Sequence, residues 1–509
     1  MKKLMNINVL PTVSPLHLEN LITRNGASAG VWLVVLIPLA CSPGLYDTHT
    51  HCHPSPRLLS LLAIQVGVSG IHLYRQICLS RSNHKTPTGK EAGTNGNEQE
   101  GSVRRPSILL RLATHPYTPA LITAVAISLL TDIHPIVAGT LTTICARVLY
   151  QTTHWLFHAF PGSFSLGEGA VAGQTAALTL TCSLYSLGFT LVHPKVLTYS
   201  QQTSALIQMG VVVVAALVTG LYRIPRLRSA RLFVPYVCVC GAVGAGGASL
   251  VMGEWVVGWL VDTITHSHLR MTLLGWWAGL TLLALVLTSW ARRRSGVAVT
   301  VLRKVYHLVI VLVFVPGILL DPVFTHLAAA AATLLCLLLE VVRLESVEPL
   351  STIIGRAFAP FLDEKDGGAL ILSHIYLLVG VASPLWLTPC PIGETSMGQW
   401  PGSPRSVLPL LSGVLAVGVG DTAASIGGTY MGRRRWVGTK KTVEGSLCGL
   451  AAQMVAVAGL TGAGVVAMTL PAWGRLVIAV GLVAAIEALT DQVDNIVLPL
   501  LLYTPLMDL

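Results

Sequence analysis

Apolar runs dominate the chain, and short polar breaks divide them. A membrane-spanning helix needs roughly 20 mainly apolar residues. Runs near that length lie at 58–79, 171–192, 205–222, 232–252, 272–290, 305–320, 323–342, 369–387, 407–426, 447–470 and 473–489. Shorter runs at 30–42, 119–131, 134–150 and 496–506 would need their flanks to span. The pattern predicts an all-α, polytopic integral membrane protein with about 12 transmembrane helices, within roughly 10 to 15.

The longest polar break, 80–107, is rich in Gly, Asn, Lys and Glu. It has too little apolar surface to form a core and reads as a flexible linker. It divides a first region, 1–79, from an N-terminal transmembrane bundle, 108–300, and a C-terminal transmembrane domain, 301–509. The first 25 residues mix polar and apolar positions, with Glu19 and Arg24 interrupting them, and do not look like a cleaved signal peptide. No internal repeat is visible, which weighs against a repeat-built transporter.

Composition strengthens the membrane reading. Hydrophobic residues make up 53% of the chain, charged residues 11%, and the mean hydropathy is +0.68. Soluble domains carry about 25% charged residues. The net charge of +10 gathers in short loops, as the positive-inside rule requires, so nucleic-acid binding is a poor reading. Arg223, Arg226, Arg228 and Arg231 form one basic cluster; Arg292, Arg293, Arg294, Arg303 and Lys304 form another; a third lies at 433–441. Even numbers of spans separate them, which predicts one shared, cytosolic face. The ten cysteines show neither a disulfide framework nor zinc spacing.

The candidate chemistry concentrates between 418 and 445. Asp421 ends an apolar run after Gly418 and Gly420; it reads as a magnesium ligand or a base, or as a helix-end acid facing water. Gly427, Gly428 and Gly432 would let backbone N–H groups approach an anion, or would serve as a helix-packing face. Lys440 and Lys441 suit nucleotide phosphates, and Thr439 and Thr442 can donate to them. Glu444 and Gly445 follow. Arg433, Arg434 and Arg435 fit a phosphate site or topology alone.

Other polar residues could complete a site. Glu487, Asp491 and Asp494 fall at i, i+4 and i+7, one face of a helix. Arg303, Lys304 and His307 share a helix start. Glu340 and Arg343 are spaced to pair with each other. Asp366 sits in a polar loop, as a site acid or a solvated one. His374 reads as an interior histidine. The His-rich tract 47–53 lacks a partner cluster and is a weak metal candidate.

The spaced set is more specific than its parts: Asp421, Ala424, Gly428, Gly432, Trp436, Lys440-Lys441-Thr442 and Glu444-Gly445. It resembles the signature of the CTP-dependent polyprenol kinase family, and within it the dolichol kinases. The stretches 303–307, 361–368 and 370–378, and Asp494-Asn495 with Pro499, extend the resemblance over roughly 300–509. Earlier residues resemble the family mainly in being apolar, with 165–168 a weak match. The triple arginine is not demanded by the family pattern.

The resemblance implies transfer of the γ-phosphoryl group of CTP to dolichol, giving dolichyl phosphate for N-glycosylation and related glycosylation in the endoplasmic reticulum. It implies Asp421, Lys440, Lys441 and Glu444 as catalytic residues. A cytosolic CTP-binding loop, 428–446, would include Gly428, Tyr430, Met431, Gly432, Arg433, Arg434, Arg435, Trp436, Val437, Gly438, Thr439, Lys440, Lys441, Thr442, Val443, Glu444 and Gly445. A divalent metal, Mg2+ by its chemistry, would sit on Asp421, Glu444 or both. Arg303, Lys304, His307, Asp366, Glu487 and Asp494 are additional site candidates. The expected partners are dolichol, CTP and membrane lipid, with no nucleic acid; the expected location is the endoplasmic reticulum membrane, with the site facing the cytosol. Rival readings are another polyprenol or phytol kinase, a phosphatidate cytidylyltransferase-like enzyme, and an anionic-solute transporter.

Overall fold

The computed structural model describes residues 23–24, 30–45, 55–83, 117–293, 299–358, 368–388, 407–507 and 509, with backbone alone at 76–83, 291–293 and 299–303. The helices are α1 (Leu36–Cys41), α2 (Pro56–Asn83), α3 (Thr118–Leu130), α4 (Pro135–Ala159), α5 (Leu166–Val192) and α6 (Tyr199–Arg223). Next come α7 (Ala230–Met252), α8 (Val256–Thr265), α9 (His268–Arg293), α10 (Val299–Leu320), α11 (Pro322–Leu344), α12 (Leu350–Phe358) and α13 (Ser373–Leu387). Then α14 (Val407–Leu410) leads into a π-helical segment, Val414–Asp421, and α15 (Thr422–Met431). Finally come α16 (Val443–Gly462), α17 (Leu470–Leu489) and α18 (Asp494–Met507).

The chain is an all-α polytopic membrane protein. Among the described residues, 8 helices are long and apolar enough to cross a membrane, and shorter apolar helices stand beside them. The expected linker begins later than 80, because α2 runs to Asn83; residues 84–107 lie outside the described residues, as do Asp366 and the tract 47–53.

Two sequence expectations need correction. The apolar run 134–150 stops at Gln151, but α4 continues to Ala159. Its polar residues recur on one helical face, so the helix tolerates them where the apolar run does not. Glu487, Asp491 and Asp494 do not share a helix. The chain leaves α17 at Thr490, where ψ is 145°. The Thr490 hydroxyl accepts from the Gln492 amide at 3.2 Å, and α18 starts only at Asp494.

Lipid tails are as apolar as leucine, so close packing and polar contacts, rather than exclusion from water, hold such helices together. One core gathers Phe314, Ile318, Leu411, Leu476, Leu498 and Leu502. A second gathers Leu33, Leu58, Leu62 and Leu149 with Val497, Leu500 and Tyr503. Helix α18 therefore serves both, with different residues on different faces. Arg228 pairs with Glu345 at 2.7 Å, just beyond α11, and Leu344 shares an apolar cluster with Leu370 and Val493. The Arg226–Arg231 loop and the start of α18 thus lie at the same end of the bundle.

Candidate active site

Glycines bring α15 and α16 close together. A Cβ on Gly445 would lie 2.7 Å from the Ala424 carbonyl oxygen and 3.1 Å from Gly428 Cα. One on Gly449 would lie 2.9 Å from the Gly420 carbonyl oxygen. Residues at four-residue spacing line one helix face. Gly420, Ala424 and Gly428 accordingly form a packing face against Gly445 and Gly449, while Gly432, just past the helix, lies against Thr442.

The link between these helices is a short hairpin. Arg435 and Thr442 form an antiparallel bridge. The Val443 amide donates to the Arg434 carbonyl at 2.8 Å, and the Trp436 amide to the Lys441 carbonyl at 3.0 Å. Gly438 has φ of 75°, which suits a residue without Cβ. Thr442 caps α16, its hydroxyl accepting from the Gly445 amide at 3.2 Å. The Trp436 indole donates to the Ser446 hydroxyl at 3.1 Å. Glu444 accepts from the amides of Arg433 and Arg434, at 3.1 and 3.0 Å. Its carboxylate therefore closes the hairpin. Tyr430, Met431, Arg433, Arg434, Arg435, Val437 and Lys440 are exposed around it.

Beneath the hairpin lies an ionic cluster. The π-helical segment ends at Asp421, and such wide turns recur at functional sites. Lys304, near the start of α10, donates to Asp421 Oδ2 at 2.6 Å. His307 Nε2, one turn later, is 3.3 Å from the same oxygen. On the other side, Lys441 Nζ donates to the Glu487 carbonyl at 2.7 Å, and lies 3.3 Å from Glu487 Oε1 and 3.4 Å from Asp494 Oδ2. The Glu487 carbonyl belongs to the last turn of α17, where a cation complements both the orphan carbonyls and the helix dipole. Burial alone would lower the Lys441 pKa; the carboxylates of Asp494, Glu487 and Asp421 outweigh it and hold the ammonium above its ordinary value.

The structure thus brings together Lys304, His307, Asp421, Lys441, Glu487 and Asp494. It places Lys440 and the three arginines on the exposed hairpin. Arg303 lies in α10, with its side chain outside the described residues. Glu340 and Arg343 pair at 2.7 Å, as their spacing suggests.

A second polar cluster forms around 165–168, a stretch that the sequence marked only as a weak family match. Buried Glu168 accepts from Arg24 at 2.9 Å and from the Ser165 amide at 2.9 Å. The Ser165 hydroxyl donates to Gln492 Oε1 at 2.6 Å. These contacts brace the Thr490–Val493 turn that separates Glu487 from Asp494. The Ser-x-x-Glu spacing at 165–168 is a capping-box signature and was the available signal.

Comparisons with known proteins bear on this site. A family model described as dolichol kinase matches residues 180–483, a span that includes Lys304, Asp421 and Lys441. The chain is similar to human dolichol kinase, 40% identical over 258 residues, 49% of this chain and 47% of that protein. It is 37% identical to mouse dolichol kinase over 293 residues, 55% of this chain and 53% of that protein. It is 31% identical to dolichol kinase of Saccharomyces cerevisiae over 196 residues, 38% of this chain and 34% of that protein. In these matches the chain spans about half the length of its mammalian relatives. No solved structure matches.

Proposed function

Because the chain belongs to the dolichol kinase family, we propose that it transfers the γ-phosphoryl group of CTP to the terminal hydroxyl of dolichol, releasing CDP. The observation that carries this reading is the ionic cluster. Two lysines far apart in the chain, Lys304 of α10 and Lys441 of the hairpin, meet three carboxylates at one end of a membrane bundle.

Phosphoryl transfer depends on positioning and charge neutralisation more than on covalent help. Lys441 binds the triphosphate, with Lys440 and the hairpin arginines reaching it from the exposed side. As Lys441 turns to phosphate, Glu487 and Asp494 lose their cation, and one carboxylate becomes free to act. The dolichol oxygen attacks the γ-phosphorus and the bond to the β-phosphate oxygen breaks. The hydroxyl proton passes to one of Asp421, Glu487 or Asp494.

The carboxylates of Asp421 and its neighbours would hold a magnesium ion that comes with the triphosphate, which would supply charge neutralisation for the transfer. The hard carboxylate oxygens of Asp421 and its neighbours suit it, since Mg2+ commonly takes one or two carboxylates plus substrate phosphates. No group of three or more metal-ligating side chains stands ready among the described residues. Glu444, engaged by two backbone amides, serves the hairpin first and a metal second.

We place the protein in the endoplasmic reticulum membrane with this end in the cytosol, where it supplies dolichyl phosphate for N-glycosylation. Basic loops sharing one end support that orientation.

The test is a membrane assay with dolichol and CTP labelled separately at the γ-phosphate and in the cytosine. Magnesium-dependent γ label in the lipid supports the kinase. Cytosine label in the lipid would identify a cytidylyltransferase instead, and label from neither position would overturn the reading.

A further inference from the structure

A cavity of about 1450 Å³ lies between α4, α5, α6, α11, α13 and α18. Neither Lys304 nor Lys441 lines it. Most of its wall is apolar; Arg223, Gln208 and His326 stand at other places on it, and one strip of α4 is continuously polar. Arg147, Gln151, His154 and His158 face it at i, i+4, i+7 and i+11, the positions of a single helix face.

Arg147 is the middle residue of the 25 in α4. Helix α4 is not among the 8 helices apolar enough to span, but it packs antiparallel on α5, which is one of them: a Cβ on Gly169 would meet Phe157, and one on Gly173 would meet Thr153. That register sets Arg147 level with Thr179, the middle of α5, and the hydrocarbon core of a bilayer is about 30 Å thick. Its side chain is exposed. No hydrogen bond or ion pair holds it among the described residues. The two acids that reach the same cavity are taken, Glu168 by Arg24 and Glu340 by Arg343. A permanent cation at mid-membrane costs roughly 2.5 to 3.5 kcal/mol or more and marks a ligand path or a water-filled cavity.

An isoprenoid or acyl chain would need only the apolar wall. The guanidinium fork fits a phosphate. We propose that this cavity is a second lipid site that takes a lipid monophosphate. The headgroup rests on Arg147, with Gln151 one turn away, and the tail lies against Val171, Leu178, Val497 and Leu500. The site goes beyond the kinase reading and does not depend on it.

The experiment uses the full chain in phosphatidylcholine nanodiscs without nucleotide, so phosphoryl transfer plays no part. Two photoreactive probes are compared, a polyisoprenyl monophosphate and the matching polyisoprenol. The expected result is labelling of α4 and α5 peptides about tenfold stronger with the phosphate, lost in Arg147→Gln and kept in Arg147→Lys. Unlabelled polyisoprenyl phosphate and phosphatidate then compete. Displacement by both means that the site reads the monophosphate alone; displacement by the isoprenyl lipid only means that it reads the tail as well. Equal labelling by alcohol and phosphate in the unaltered protein, or unchanged labelling in Arg147→Gln, would overturn the proposal.

Discussion

Lys304 and Asp421 stand 117 residues apart in the chain and meet at 2.6 Å. The contact ties the first turns of α10 to the end of the π-helical segment, with His307 against the same carboxylate oxygen. Asp421 therefore has a fixed position and two nitrogen partners, as a group aimed at a substrate requires.

Asp421→Asn should lower phosphoryl transfer about a hundredfold or more, since it removes a carboxylate from the centre of the charge distribution. Lys304→Ala should cost about tenfold to a hundredfold by leaving that carboxylate without its nearest cation. Both variants should insert and elute as the unaltered protein does. Normal turnover by Asp421→Asn would remove Asp421 from the chemistry.

The raised pKa of Lys441 has a sign that can be read chemically. The ordinary value is 10.5, and the folded value lies above it. Stability from the Lys441 cluster is thus fully present below pH 10.5 and lost only as pH rises through the folded value. At pH 8 the neutral amine is scarce. Amine-reactive reagents should modify exposed Lys440 well before Lys441, as peptide mass spectrometry would reveal. A Glu487→Gln, Asp494→Asn double variant should speed modification of Lys441. If the two lysines react equally in the unaltered protein, the cluster does not hold Lys441 as described.

Gly445→Ala should destabilise the α15–α16 contact by about 1 to 3 kcal/mol, the usual cost of overpacking. The new Cβ would meet backbone on two sides, which has little room to yield. Gly459→Ala serves as control, since nothing lies within 4 Å of a Cβ there. Melting temperatures in detergent should fall for the first and hold for the second.

Glu168→Ala should cost about 3 to 5 kcal/mol, the penalty for leaving a buried Arg24 unpaired. Because Ser165 also braces Gln492, transfer activity should fall along with the melting temperature. Arg24 and Glu168 replaced together by Met and Leu should regain much of the stability.

Most of the fold was legible because lipid imposes a length and an apolar character that long runs declare. The helices α5, α6, α7 and α11 stand close to their predicted runs. The site was legible in part. Lys441 and Asp421 stood out as charges among apolar residues, and Glu340 with Arg343 by helical spacing. Their other partners were not legible, since nothing local ties Lys304 to Asp421 or Lys441 to Asp494. The turn after Leu489 was missed because three acids at helical spacing look continuous until the backbone departs. The second half of α4 was missed for the opposite reason: its polar strip broke the apolar run without breaking the helix.

Helix α18 carries Asp494 at one end and fills the N-terminal core with Val497, Leu500 and Tyr503. Thr504 donates to the Leu39 carbonyl across 465 residues. At ordinary synthesis rates of about 5 to 20 residues per second, that separation is roughly 20 to 90 s. For that interval the early helices wait in the bilayer with an unfilled slot. In water such a wait would invite aggregation; in lipid, where an apolar face is already solvated, the bilayer itself shelters the early helices until their late partner arrives.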